Sequence, residues 1–236
     1  MDNHSLTHTF YYGVAKMLVA VDCIIFGFDG QQLKLLLFKR IVSPYAGKWS
    51  LVGSFVKEQE GLEEAAARTL HELTGLKDVY MRQLYAFGEI ERDPGARVLS
   101  VSYYALIRLD NFDEELVKQH NAHWFSLNEL PELIFDHKEM VDMALDRLRK
   151  QTRYQPIGFE LLPKKFTLPQ LLKLYEEIYQ KTLDDRNFRK KIKALNFLKQ
   201  LDEKDKSTSK KGAYYYSFDK KKYNRLLEKG VNVELK

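Results

Sequence analysis

The stretch Ser54–Leu76, SFVKEQEGLEEAAARTLHELTGL, decides how the rest of the chain is read. A glycine-flanked loop leads into an acidic helix that closes on Thr74-Gly75-Leu76, a common helix exit. Arg68 can pair with Glu64 and Glu72 at i±4, and Glu60 can reach back to it from the loop. Cutting a diphosphate would need Mg²⁺, held by a few protein oxygens together with the substrate phosphates. Carboxylates at i, i+3 and i+4 of one helix would line one edge of that ion. Positions 69, 72 and 73 hold Thr69, Glu72 and Leu73, so one carboxylate is left. A lone carboxylate is a poor divalent-ion site, and Leu73 would desolvate the ion without compensating it. The helix is therefore expected to be structural, with no catalytic residue, no metal ligand and no cofactor.

Outward from that helix, strand and helix signals alternate as far as Gln151. Lys16–Phe28 and Leu33–Arg40 are apolar runs separated by Asp29-Gly30, a hairpin signal. Trp49–Val56 is expected to be a third strand. Val79–Ile90 and Val98–Ile107 flank the turn Asp93-Pro94-Gly95, and His123–Phe125 is a short strand. Asp136 and Glu139 have capping-box spacing for a helix carrying Val141, Ala144, Leu145 and Leu148 on one face. A mixed sheet with helices on its faces (α/β, α+β) follows, as the domain 1–151. Residues 152–165, with Gly158 and Pro163, break both periodicities and are expected to link it to a second domain, 166–236.

The second domain opens on a helix capped by Thr167, with Pro169 in its first turn. A further helix starts at Asp184 or Asp185, with Phe188, Ile192, Leu195 and Leu198 as its apolar face. Its other side holds Arg186, Asn187, Arg189, Lys190 and Lys193, residue types that reach base edges or phosphates in the major groove. The polar loop Lys204–Gly212, with Lys206, Lys210 and Lys211, precedes AYYYSFD, in which Tyr214, Tyr216 and Phe218 alternate as a strand's core face would. Two helices followed by a basic-tipped hairpin match a winged helix-turn-helix. Charge agrees. The chain is +5 overall, yet Arg186–Arg225 carries 14 Lys and Arg against 4 Asp and Glu, so an acidic body bears a basic end.

One cysteine, Cys23, excludes an internal disulfide framework. The run from Met17 to Phe28 is too short for a membrane span and carries Asp22. A cytoplasmic protein without a membrane partner is expected.

At this point a resemblance is plain. Ser54–Leu76 is similar to a Nudix box: a glycine, five residues, Glu, seven residues, Arg-Glu, an aliphatic, one residue, Glu-Glu, one residue, glycine, aliphatic. Glu60, Arg68, Leu70, Glu72, Gly75 and Leu76 match. Ser54 replaces the first glycine, Thr69 the catalytic-base Glu and Leu73 a metal-binding Glu. The strings FGEIERDPGARVLSVSYYAL, FDHKEM and GFELLPKKFTLPQLLKLYEEIYQKTLDDRNFRKKI resemble the Nudix-related transcriptional regulators of the NrtR and AraR group. The resemblance implies a Nudix-like mixed sheet fused to a winged helix, acting as a homodimeric repressor on a palindromic, double-stranded operator.

It also implies a small effector, either ADP-ribose or related nucleotides or, in one branch, a sugar such as L-arabinose. For the pocket, Asp22 in an apolar strand is costly unless bonded, so it caps a turn or faces a ligand hydroxyl. Tyr45 and Trp49 can stack on a sugar, though a Trp at a strand start is more often core. Arg40, Lys48, Arg92 and Arg97 can meet phosphates, and Glu89 and Glu91 can meet hydroxyls. With its helix carboxylates replaced, a diphosphate lacks a counter-ion, which favours L-arabinose. The alternatives are ADP-ribose as effector and active hydrolysis of nucleoside diphosphate derivatives.

Overall fold

Leu18–Phe28 forms the central strand β1, because its near-continuous apolar run suits a strand covered on both faces. The computed structural model describes residues 13–77, 79–109, 114–154, 157–207 and 210–228. Strand β1 turns at Asp29 into β2 (Leu33–Lys39), its antiparallel partner, as the hairpin signal required. The Asp29 carboxylate closes that turn by accepting from the N–H groups of Gln31 and Gln32. On its other side β1 runs parallel to β6 (Val98–Arg108), which pairs in turn with β5 (Tyr80–Phe87).

The strand expected over Trp49–Val56 is two strands. β3 (Trp49–Ser50) pairs with β2, whereas β4 (Val52–Phe55) pairs with β1. Between them the Leu51 N–H donates to His137 Nδ1 at 3.0 Å instead of to a neighbouring strand. β7 (Ala122–Ser126) completes the sheet on β2. The short helix α2 (Glu114–Gln119) precedes it.

Period-two alternation sends side chains of β1 to two layers. Val21, Cys23 and Ile25 pack under α1 (Leu62–Thr74) against Ala65, Ala66 and Leu70. Ile24, Phe26 and Phe28 pack under α3 (His137–Tyr154) against Val141, Ala144, Leu145 and Leu148, the apolar face expected for it. Each such Leu, Ile or Phe contributes roughly 1.5–3 kcal/mol on burial. Asp22, between Val21 and Cys23, consequently lies on the α3 side.

The second apolar cluster does not stop at the sheet. It runs on into α4 (Leu168–Tyr179) through Leu171, Leu174 and Ile178. The stretch expected as a link starts inside α3, and residues 155 and 156 in it lie outside the described residues. Past them a 3-10 helix, Ile157–Leu161, leads to the short strand β8 (Phe166–Thr167), with Leu161 and Leu162 buried. Helix α4 begins as expected: the Thr167 hydroxyl accepts from the Gln170 N–H, and the Gln170 side chain accepts from the Thr167 N–H.

Helix α5 (Asp185–Ala194) is capped by Asp184, which accepts from the Asn187 N–H. It is shorter than its apolar spacing suggested. Asn196 turns the chain with a left-handed φ of 53°, and Leu198 opens strand β9 (Leu198–Asp205) instead of extending the helix. β9 pairs with β10 (Ala213–Phe218), and β10 pairs with β8, giving the three-stranded sheet of a winged helix. The alternation expected in β10 fails at Tyr214. A bulge between Tyr214 and Tyr216 leaves Tyr216 buried and Tyr214 exposed. A last helix, α6 (Lys220–Glu228), packs Tyr223 on Phe197 and was not anticipated. Among the described residues, no helix is long and apolar enough to cross a membrane.

Candidate functional site

Three buried polar side chains meet where β1, β6 and the start of α3 converge. Ser100 Oγ donates to Asp22 Oδ2 at 2.5 Å. Arg92 comes in from the β5–β6 connection and grips Asp136 with two parallel bonds, Nε to Oδ2 at 2.8 Å and Nη2 to Oδ1 at 2.7 Å. The same Nη2 is 3.7 Å from Asp22 Oδ2. Burial opposes the guanidinium's charge, but the bonds to Asp136 and the field of Asp22 outweigh it, and its pKa is raised.

His137 completes the group. Its Nδ1 accepts from Leu51 N–H, so in the neutral ring Nε2 carries the proton and points toward Asp22 Oδ1, 3.7 Å away. Burial holds the imidazole pKa below its usual 6.5, against the pull of Asp22 and Asp136. Gly53 makes room: a Cβ there would collide with the Asp22 carboxylate. Phe135, immediately before Asp136, has a φ of 52°, an unusual backbone state for an aromatic residue. Such strain persists only where surroundings over-determine it, commonly at binding sites.

Asp22, Gly53, Arg92, Phe135 and His137 line a cavity of about 260 Å³ together with Phe38, Arg40, Ser50, Phe55 and Val98, while Ser100 and Asp136 hold Asp22 and Arg92 from behind it. Of the residues expected around a ligand, Asp22 and Arg40 are there, and so is Arg92. Arg40 is anchored by Nε to the carbonyls of Val42 and Pro44 and lies over the Phe135 ring. The others are elsewhere. Tyr45 touches the site only through Phe135, edge to face. Trp49 is a packing residue against Phe125 and His123, the more ordinary role of a strand-start Trp. Lys48 and Glu89 are exposed and outside the cavity. His137, Ser100 and Asp136 escaped the sequence reading as site residues, since each is remote along the chain from what it touches.

On the opposite face of the sheet, the box residues form a separate cluster. Arg68 donates from Nε and Nη2 to Glu60 at 2.8 and 2.5 Å, from Nη1 to Glu72 at 3.0 Å, and from Nη2 to the Phe55 carbonyl. Ser54 Oγ lies 3.4 Å from Nη1. Those hydrogen bonds hold the Glu60 carboxyl down at about 2. Thr69 is fully buried, and its hydroxyl has no hydrogen-bond partner among the described residues. The Leu73 side chain lies outside the described residues. Both remaining carboxylates face Arg68 and Thr69 is sealed in an apolar layer, so these residues do not fit a Mg²⁺ site. Among the described residues, no three His, Cys, Asp or Glu side chains gather as one elsewhere.

The winged helix presents a second candidate surface. With Phe188 and Ile192 buried, helical geometry turns Arg186, Lys190 and Lys193 to the opposite, exposed face of α5. Arg189 lies at the flank, bound to Asp185 at 2.5 Å. Asn187 departs from the expected base-reading row and lines a cavity beside Tyr175. Lys206, Lys210 and Lys211 are exposed at the tip of the β9–β10 hairpin.

Comparison with known proteins joins the two surfaces. The NUDIX domain profile matches residues 16–144, and that of the NrtR DNA-binding winged helix domain matches residues 158–218. Over 219 residues the chain is 32% identical to the "ADPR responsive transcriptional repressor NtrR" of Acinetobacter baylyi, spanning 89% of this chain and 87% of that protein. This chain belongs to the Nudix-related transcriptional regulators of the NrtR type. The crystal structure of Shewanella oneidensis NrtR with a 27mer DNA superposes with a TM-score of 0.77 at 28% identity, covering 87% of this chain and 95% of that one. The NUDIX domain of that NrtR with ADP ribose gives 0.51 at 28% identity, over 63% and 98% of the two chains. The Nudix-like sheet and winged helix expected from the sequence are thus the family's architecture. L-arabinose finds no support among these relatives.

Proposed function

We propose that this NrtR-type chain is a DNA-binding transcriptional repressor whose operator affinity is set by ADP-ribose bound at the Asp22–Arg92–His137 cavity. The observation that carries this is one helix that runs from the cavity to the helix supporting α5. Asp136 and His137 at the start of α3 hold the cavity wall. At its far end Arg149 Nε donates to the Ile178 carbonyl of α4 at 2.8 Å, and Thr152 shares its hydroxyl with Tyr179. A ligand that shifts α3 therefore shifts the helix on which α5 rests.

The sugar favoured by the replaced carboxylates yields to ADP-ribose because the Acinetobacter relative is ADPR-responsive and the related NrtR domain is seen with ADP ribose, while in this cavity Arg40 keeps its terminal N–H groups beside the Arg92 cluster. At about 260 Å³ the space is below the roughly 300–1,000 Å³ of sites that enclose whole ligands. It takes one phosphate–ribose portion, with the remainder lying over the exposed Phe55 and Val42 at its rim. With Glu60 and Glu72 committed to Arg68, ADP-ribose is sensed and not cut. Residues 1–151 form the effector domain and 166–236 the DNA-binding domain, and two copies bind a palindromic operator through Arg186, Lys190 and Lys193, with half-sites about one DNA turn apart. Lys206, Lys210 and Lys211 follow the phosphates.

Operator binding by fluorescence anisotropy tests this directly. ADP-ribose should change the affinity by roughly 5- to 150-fold, and operator should change ADP-ribose affinity by the same factor. Unequal factors, or L-arabinose acting in place of ADP-ribose, would refute the scheme. Arg186→Ala should cost about 1–3 kcal/mol of operator binding if the side chain reads a base. Release of AMP from ADP-ribose in the presence of Mg²⁺ would overturn the non-catalytic reading alone.

A further inference from the structure

Behind α5 lies a second cavity, of about 450 Å³, bounded by α3, α4 and α5 and open on one side. Its walls are aromatic and apolar: Tyr175, Tyr179, Leu183 and Phe188. Tyr175 is buried, and its hydroxyl has no hydrogen-bond partner among the described residues. Burial pushes that phenol's pKa well above its ordinary value, so the hydroxyl stays protonated and is a donor in need of an acceptor. A native protein seldom leaves such a group unpaired without a reason.

The rim supplies charge of one sign. Arg153, Lys181 and Lys191 surround the opening and are exposed. Among the described residues Asp184 is the sole carboxylate of the lining, and its Oδ1 is occupied in capping α5. Lys191 is on the flank of α5 turned from the row Arg186, Lys190 and Lys193, so its charge serves this cavity apart from the proposed groove-facing side.

We infer that this cavity binds a small planar aromatic anion, with the ring against the Tyr175, Tyr179 and Phe188 wall, an acceptor atom on Tyr175 Oη, and the phosphate or carboxylate among Arg153, Lys181 and Lys191. The ligand props α5 against α4 and places negative charge beside the DNA-binding helix. Bound ligand therefore weakens operator binding, independently of the Asp22 cavity.

Phenyl phosphate is the probe, added to the full chain already saturated with ADP-ribose and followed by calorimetry. Saturable binding, one per chain, is expected, with inorganic phosphate and cyclohexyl phosphate each binding more weakly. Tyr175→Phe should weaken phenyl phosphate roughly fivefold, the value of one hydrogen bond, without lowering the melting temperature. Lys191→Ala should weaken it as well, while Arg40→Ala in the other cavity should not. No saturable binding, or equal affinity in the Tyr175→Phe chain, overturns the proposal. So does loss confined to Arg40→Ala, which would place the probe in the Asp22 cavity. A marked fall in melting temperature of Tyr175→Phe would show that the hydroxyl already has a partner and would also overturn it.

Discussion

Two arginines, on opposite faces of one sheet, each hold two carboxylates, and they teach different lessons. Arg68 sits between Glu60 and Glu72, eight and four residues away, at the half-open edge of α1. Arg92 sits between Asp22 and Asp136, 70 and 44 residues away, with 4% of its side chain exposed. The first cluster is a local motif that keeps a loop against a helix. The second ties three distant parts of the chain together in a place water barely reaches. A motif search finds the first at once, yet burial makes the second the greater commitment of energy.

The sharpest way to break this comparison is to remove each arginine in turn. Arg92→Ala leaves Asp22 and Asp136 without their cation in a low-dielectric site, and losing one partner of such a group costs about 3–5 kcal/mol. Arg68 itself is more exposed than Arg92, and its partner Glu72 is half open to solvent, so the loss in Arg68→Ala should be smaller. Urea titrations of both variants measure the difference. Equal losses would mean that the Asp22 cluster is wetter than its geometry indicates.

Acid gives the second test. His137 is held neutral by burial, while the unfolded chain takes up a proton there as pH falls through about 6.5. The unfolded state then binds more protons, so stability should decline as pH falls below that value. His137→Asn keeps an acceptor for the Leu51 N–H but cannot titrate, and its melting temperature should vary less between pH 7 and pH 5.5. Glu60 acts over a lower window. Its carboxyl is held near 2 by Arg68, so the stability it adds is complete above the ordinary carboxylate range and is lost as pH falls toward 2. A profile that declines only below pH 4 would assign the sensitivity to the motif cluster instead.

What the sequence revealed follows the same division. Hairpins at Asp29-Gly30 and Asp93-Pro94-Gly95, the caps at Thr167 and Asp184, and the Arg68 pairs with Glu60 and Glu72 are all local, and local spacing carries them, although Glu64, expected as a further partner, accepts from the Gly61 N–H instead. The contacts Ser100 to Asp22, Arg92 to Asp136 and His137 to Leu51 have no period, because only the finished sheet brings them together. Asp22 was noticeable because a carboxylate in an apolar run needs a partner, yet nothing along the chain names that partner. Leu195 and Leu198 misled for a different reason. Short apolar spacings fit a helix end and a strand start equally well. Trp49 and Tyr45 had the right chemistry for a ligand, but a two-residue strand and a loop turned them away from the cavity.

The smallest expected effect has the opposite sign and concerns the residue that first set catalysis in doubt. Thr69 is in the middle of α1, fully buried, with a hydroxyl that finds no partner among the described residues. A Thr hydroxyl in a helix usually returns to the carbonyl one turn back, as Thr74 does to Leu70. Thr69→Val keeps the branched shape and removes the unpaired group, whose burial costs roughly 1–3 kcal/mol, while helix propensity changes little. The variant should be as stable as the parent or more so, by up to about 1 kcal/mol. Operator affinity and the proposed ADP-ribose affinity should be unchanged, since the hydroxyl lies on the far face of the sheet from the Asp22 cavity. A destabilised Thr69→Val chain would show that the hydroxyl has acquired a structural bond. A stabilised one would mean that position 69 keeps a polar group for which the folded chain has no use.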